Sequence, residues 1–303
     1  MDKLKAMRVF VEIADANSLT GAAKVLSMSL TSVVRSLAGL EENLGVRLFN
    51  RNTRKIVITD EGREYYQRCR TILSEIEDAE SMLSERQAEP LGRVSVTAPV
   101  TFGKRHVAPK INAYLGKYPK MTVDLIFVDR TVDMLSEGID IAVRIGRIGN
   151  HDLVARQLGK MRHVLCASPD FLASRVMIRS LEDIRNQPSI QLSALDHSDE
   201  WSFETNGEVV KMPLQSRLST NQVDVALNAC INGVGLCRFL HYQVIDAVKR
   251  GELCILLEDY EPRPLPVHLL YAPVKLQTKR LRSMTEWLTR SLQRDLELIS
   301  GTS

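Results

Sequence analysis

Leu4, Met7, Phe10, Val11 and Ala14 recur at three- and four-residue steps, the period of one helix face, and predict an amphipathic first helix. Ser18 is an N-cap type standing before a second, short helix that carries Ala22, Ala23 and Leu26. Ser29 can cap a third, in which Val33, Leu37, Leu40 and Leu44 share a face and Gly45 sits as the C-terminal stop. Only a few residues separate helices two and three, and the third has a polar outer face, which is the pattern of a helix-turn-helix. From Arg47 to Thr59 the chain reads as a short β-hairpin with a polar tip. Thr59 can then cap a long fourth helix, with Asp60 and Glu61 in the first turn where negative charge suits the helix dipole. Its Cys69, Ile72, Ile76, Ala79 and Leu83 make a narrow stripe suited to pairing with another helix, the alternative being a helix packed on its own second domain. This helix is expected to reach about Gln87, a length of roughly 40 Å at ~1.5 Å per residue.

Glu89-Pro90-Leu91-Gly92 breaks the helix and marks a domain boundary. Beyond it, strand-like runs alternate with helical ones. Strands are expected at 93–98, 121–128, 139–145, 235–238 and 267–272, and helices at 102–118, 132–137, 221–231, 242–250 and 279–298. The alternation predicts an α/β fold with mostly parallel sheets. No repeat of fixed period and no low-complexity tract interrupts it.

A chain of 303 residues suggests two domains, and 44% hydrophobic with 25% charged residues is ordinary for a folded globular protein. No apolar run approaches the ~18–20 residues a bilayer requires, so no membrane partner is expected. The amino terminus predicts no secretory leader. Five cysteines, an odd count without a Cys-x-x-Cys pair, predict neither a disulfide framework nor a zinc site and suit the reducing cytoplasm. Cys230 and Cys237 could form a thiol sensor or be inert core residues, and their apolar settings favour the second. The six histidines have no ligand spacing, Asp196-His197-Ser198-Asp199 lacks a nucleophile elbow, and no P-loop or dinucleotide fingerprint occurs. No catalytic residue, metal or cofactor is therefore expected. The net charge of +3 is too small to argue from; its distribution is more useful.

Ala22-Ala23-x-x-Leu26-Ser27, Leu40-Glu41-x-x-Leu44-Gly45-x-x-Leu48-Phe49-x-Arg51-x-x-Arg54 and Thr59-x-x-Gly62, in this order, resemble the winged helix-turn-helix of LysR-type transcriptional regulators. Ala98-Pro99-Val100-Thr101-Phe102-Gly103, Asp140-x-Ala142-x-Arg144-x-Gly146 and Leu165-Cys166-Ala167-Ser168-Pro169 are similar to the effector domain of the same family. The resemblance implies three parts: a winged helix-turn-helix over 1–59, a linker and dimerisation helix over 60–88, and an effector-binding domain over 91–303. That last part would be a two-subdomain α/β body like a periplasmic binding protein of type 2. Subdomain I would take 91–163 and 268–303, subdomain II 164–267, with two crossover strands as hinges.

Duplex DNA is a dense line of negative charge, so its binder needs cations around a groove-sized protrusion. The hairpin supplies Arg47, Arg51, Arg54 and Lys55 with no acid among them, and the third helix adds Arg35. Taken alone these are a solvated basic loop; beside a helix-turn-helix they point to nucleic acid. Four phosphate contacts per subunit would give a dimer a salt slope of about −7. The third helix should present Leu30, Thr31, Ser32, Val34, Arg35 and Ala38 to the major groove, with Ser29 at its start. The common family pattern has glutamine at position 30 and serine at 34, whereas this chain has Leu30 and Val34. Either these two join the core, or they touch thymine methyl groups.

In the second domain, Val100 and Thr101 follow a strand and open a helix, an arrangement whose free amides suit an anion. An ordinary capped helix would look the same. With the resemblance, Val100, Thr101, Asp129, Gly146 and Arg147 are expected to line an effector cleft, faced by Thr220 and Asn221; Trp201 and Phe203 are further candidates, with core packing the alternative role for at least one of them. Arg147 suits a carboxylate effector and Asp129 argues the other way. The implied function is an effector-modulated regulator of transcription and not an enzyme, binding double-stranded promoter DNA as a homodimer or homotetramer, with RNA polymerase a further partner. The competing reading is an enzyme or small-molecule-binding protein that uses the cleft, with the amino-terminal module as an interaction domain.

Overall fold

The computed structural model describes residues 2–52, 55–83, 89–148, 153–173, 177–193, 200–272 and 278–301. The amino-terminal head opens with α1 (Lys3–Ala16), α2 (Leu19–Val25) and α3 (Leu30–Leu44). Their ends follow from local chemistry. The Ser18 hydroxyl accepts from the Gly21 amide at 3.1 Å and that of Ser29 from the Ser32 amide at 3.2 Å. Gly45 ends α3 at φ 70°, where a residue with a Cβ is strained. Strands β1 (Phe49–Asn52) and β2 (Lys55–Ile58) form the antiparallel wing, with Phe49 opposite Ile58. One carboxylate oxygen of Glu41 accepts from the amides of Leu48 and Phe49 at 2.9 and 3.2 Å, and so ties the wing to α3. Phe10, Ile13, Val33, Leu37, Leu40 and Leu48 are wholly buried between these elements.

Helix α4 (Asp60–Leu83) starts on Thr59, whose hydroxyl accepts from the Gly62 amide at 2.9 Å. Its expected stripe divides between two faces. Cys69 is fully buried in the head core, where Leu73 joins it, while Ile72 is 39% exposed, Ala79 exposed and Ile76 half-buried. The side chain of Leu83 and residues 84–88 lie outside the described residues.

The body holds two five-stranded sheets. The first has the order β4-β3-β5-β14-β6, from β3 (Gly92–Ala98), β4 (Met121–Phe127), β5 (Ile141–Ile145), β6 (Val154–Met161) and β14 (Leu265–Tyr271). The second has the order β11-β8-β12-β7-β13, from β7 (His163–Ala167), β8 (Pro188–Leu192), β11 (Gln215–Thr220), β12 (Leu236–Leu240) and β13 (Cys254–Leu256). A hairpin of β9 (Glu200–Thr205) and β10 (Glu208–Pro213) stands beside it. Helices α5 (Val100–Phe102) and α6 (Ala108–Lys117) are joined by a π-helical turn over Gly103–Val107. With α11 (Lys279–Ser300) they cover the first sheet, where Leu281, Met284, Leu288, Leu292 and Leu296 of α11 enter the core. The short α7 (Pro169–Ala173) and α8 (Leu181–Ile184), then α9 (Val223–Ile231) and α10 (His241–Lys249), pack on the second.

Two expectations change. Each sheet has two parallel and two antiparallel pairings, so the sheets are mixed rather than mostly parallel; the strands that cross between subdomains re-enter antiparallel. Residues 132–137 form a turn and no helix, because the Asp133 carboxylate accepts from the amides of Leu135 and Ser136 at 3.0 and 3.2 Å and competes with helical bonding.

Head and body meet along α1, α4 and the β3–β4 edge. Arg93 donates to both oxygens of Asp124 at 2.7 Å and to Asp15 of α1 at 3.1 Å. Arg70 of α4 also pairs with Asp124, and Tyr66 bonds Asp15. Arg280 donates to the Ser74 hydroxyl at 3.0 Å. A cavity of about 140 Å³ remains at this junction, with Val11 and Leu73 on the head side and Ser95 and Gly138 on the body side.

Candidate functional site

The outer face of α3 is set by what its inner face buries. Val33, Leu37 and Leu40 have no exposed surface, so the positions beside them turn outward: Leu30 is 47% exposed, Thr31, Arg35 and Ala38 are exposed, and Ser32 and Val34 are half-buried. Leu30 therefore does not join the core, one of the two readings the spacing left open. The Ser29 hydroxyl is committed to capping. Arg47 is exposed where the wing begins. The side chains of Arg51 and Lys55, and Arg54 altogether, lie outside the described residues.

In the body, β3 runs parallel to β4 and β5, which brings their carboxyl ends together. Val100 is half-buried and Thr101 9% exposed at the first of these ends, Asp129 stands exposed after β4, and Gly146 and Arg147 follow β5. Gly146 adopts φ 113°, a conformation that only glycine takes without strain. The Val100 amide, expected to be open to an anion, donates to Asp129 at 3.0 Å. The positive end of α5 is thus already met by a carboxylate of the chain itself.

Thr220 ends β11 and Asn221 follows it; β11 runs parallel to β8, and β8 runs parallel to β12. Just after β12, the Tyr242 ring stands edge-on to Phe102 at 5.3 Å and 86°. Arg105 donates to the Tyr242 carbonyl at 3.2 Å. These contacts turn the carboxyl ends of the two sheets' parallel strands toward one another. Trp201 and Phe203 do not join them. At 6% and 2% exposure they pack with Leu165, Phe171 and Leu236 inside subdomain II, because the inward face of the β9–β10 hairpin supplies that core; the expectation that they line the cleft is corrected.

Three residues were given no role from the sequence. Tyr242 carried no pattern that separates it from an ordinary core aromatic. Arg144, half-buried on β5, donates to the Thr97 hydroxyl at 3.2 Å; burial pulls its pKa down and nearby Asp129 opposes that. It was visible within the Asp140-x-Ala142-x-Arg144 motif. Arg162, between β6 and β7, binds Glu261 through two bonds of 2.8 Å and Glu258 at 2.7 Å. These bonds clasp both crossover segments together, and Glu261 chiefly holds the guanidinium pKa above its ordinary value.

Cys166, Cys230 and Cys237 are buried, and burial pushes their thiols up, that of Cys230 to about 12. A thiol so held is a poor nucleophile at neutral pH. Among the described residues no group of side chains could hold a metal ion, and no helix is long and apolar enough to cross a membrane. The Asp196–Asp199 segment lies outside the described residues.

Two family descriptions match the chain. "Bacterial regulatory helix-turn-helix protein, lysR family" covers residues 4–63, and "LysR substrate binding domain" covers 87–293. An HTH-type transcriptional repressor of Pseudomonas aeruginosa is 31% identical over 290 residues, 95% of this chain and 92% of the relative. The HTH-type transcriptional activator AaeR of Escherichia coli is 30% identical over 292 residues, 95% and 94% of the two chains. The structure of CrgA from Neisseria meningitidis aligns with a TM-score of 0.61 at 26% identity, over 95% of this chain and 98% of that one. Full-length AphB of Vibrio cholerae shares the fold, with a TM-score of 0.62 at 24% identity over 94% and 98%. These relatives are regulators of transcription. With two matched domains spanning most of its length, the chain belongs to the LysR family of DNA-binding transcriptional regulators.

Proposed function

We propose that α3 and the wing grip promoter DNA, and that a small molecule held between the two body sheets alters that grip. Regulators of this family bind promoter DNA and effectors and form oligomers. The observation that carries the reading for this chain is the outer face of α3, exposed and carrying Arg35, opposite an inner face with no exposed surface. Thr31, Ser32 and Arg35 of α3, with Arg51, Arg54 and Lys55 of the wing, are the proposed polar DNA contacts; Ser29 holds the helix end that presents them. Phosphate contacts position the head and add affinity for every sequence alike.

For the effector, the proposed lining is Val100, Thr101, Asp129, Gly146, Arg147, Thr220 and Asn221. A carboxylate would be met by exposed Arg147; Asp129 on the Val100 amide favours a ligand bearing a donor or cation at that end. A homodimer or homotetramer is the proposed assembly, acting in the cytoplasm where the promoter is, with RNA polymerase as the partner whose access changes. Closure of the cleft would favour one arrangement of paired heads over another.

Retardation of the gene's own upstream DNA, titrated across salt concentrations, tests the first half. A dimer with four phosphate contacts per subunit gives a slope of log K on log salt of about −7. Absence of retardation at low salt overturns it. Melting the protein with a panel of small acids and amines tests the second half, and a cleft that answers to neither class sinks it.

A further inference from the structure

We propose that the head reads thymine C5-methyl groups in the major groove through Leu30 and Val34, so that thymines opposite α3 define its target. The inference rests on α3 being the groove-facing helix and adds what that helix recognises.

Leu30, Val34 and Ala38 stand at successive four-residue steps, hence on one side of α3, and none is fully buried. Leu30 keeps 47% of its surface exposed although it lies in the first helical turn, beside a head core that has taken Val33, Leu37 and Leu40 completely. An apolar stripe left outside a filled core has no folding role to account for it. Of the polar groups around it, the Ser29 hydroxyl is used by the Ser32 amide, which leaves Thr31 and Arg35 as exposed hydrogen-bonding side chains on the outer face.

Each base pair offers the major groove donors and acceptors, and thymine alone among the unmodified bases offers an apolar group, its C5-methyl. Setting Leu30 over a guanine, cytosine or adenine edge would strip water from a polar atom and return nothing. That loss is about tenfold or more in affinity. Over a thymine methyl the same side chain buries apolar surface on both partners. Arg35, one residue beyond Val34, remains free to reach a phosphate or a guanine edge and fix the register.

The test uses the purified full-length protein and a random-sequence duplex pool. Duplexes enriched on the protein are resynthesised with uracil in place of each recurring thymine, which removes the methyl and leaves base pairing and every groove hydrogen-bonding atom unchanged. We expect recurring thymines in each half-site, and about a fourfold weaker binding per uracil that faces Leu30 or Val34, the worth of one buried methyl. Leu30→Ala and Val34→Ala should each lose part of the thymine-over-uracil preference while keeping the salt slope, since phosphate contacts are untouched. Equal binding of thymine and uracil duplexes by the unaltered protein overturns the proposal without needing any variant. So does a full preference retained when both residues are alanine and circular dichroism shows the helices intact. Failure to retain any duplex at low salt would instead overturn the DNA-facing role of α3, and this proposal with it.

Discussion

A Cβ added at Gly62 would lie 2.2 Å from the Leu48 carbonyl oxygen and 2.8 Å from a side-chain carbon of Ile58, because the first turn of α4 crosses directly over the wing. Backbone cannot yield as a flexible side chain can. Gly62→Ala should therefore cost the head roughly 1–3 kcal/mol, the range for overpacking a close contact. Urea unfolding of the purified head should show it, and an unchanged midpoint would refute the packing argument. The Thr59-x-x-Gly62 spacing was legible from sequence as a cap with a glycine behind it. The reason for the glycine was not, because Leu48 lies fourteen residues earlier and only the fold brings it near. The caps at Ser18 and Ser29 and the stop at Gly45 were legible because their partners lie within three or four residues. Trp201 and Phe203 were misplaced for the opposite reason. Alternation along a strand separates two faces but does not say which one meets the core. That Asp129 also accepts from the Val100 amide was not legible, because the two lie twenty-nine residues apart.

Helix α4 teaches the same lesson one level up. Its apolar positions look like one stripe in sequence, yet they serve two sides. Cys69 and Leu73 complete the head core, so the head does not end with the wing; Ile72, Ile76 and Ala79 stay at least partly open, where a proposed seam with a second copy of the helix would lie. Period alone could not divide them, because a helix that contacts its own domain on one side and a partner on the other repeats at the same three- and four-residue steps. Separate substitutions can divide them. Leu73→Ala should destabilise the head by about 2–3 kcal/mol through the cavity it leaves, with the sedimentation coefficient unchanged. Ile72→Arg should leave head stability within about 0.5 kcal/mol and shift sedimentation toward the monomer. If Ile72→Arg sediments as the unaltered protein does, α4 is not the seam between subunits.

Across the whole molecule, burial places three histidines where acid is costly, His268 on β14 and two beside the subdomain junction. His106 is half-buried beside Phe102 and Tyr242, facing Asp295, Arg105 and Lys110; His241 is 5% exposed, facing Arg162 and Glu258. Burial pulls both pKa values below the ordinary 6.5, against the pull of Asp295 on the first and of Glu258 on the second. The folded chain then binds fewer protons than the unfolded one, so stability is complete above pH 6.5 and is lost as pH falls through that value toward the folded pKa values. The thermal midpoint should be lower at pH 5.5 than at 7.5, and His241→Asn should narrow the difference. A midpoint flat across that interval would mean the histidines are not held neutral. At this scale the sequence was most readable. The order of head, long helix and α/β body follows from periodicity and the Glu89–Gly92 break. The mixed sheets were not readable, since pairing direction depends on where a crossover strand lands.

Strand β14, from residues 265–271, lies between β5 and β6, and α11 then seals the same layer, whereas every strand of the other sheet lies within residues 163–256. During synthesis the ribosome therefore delivers the head, then strands β3 to β6 of the first sheet, and then all the strands of the second sheet. The first sheet waits, with β5 and β6 each showing an unmated edge, until almost the last segment has emerged. The final forty or so residues act as the closing stitch of a layer whose opening strand came out much earlier.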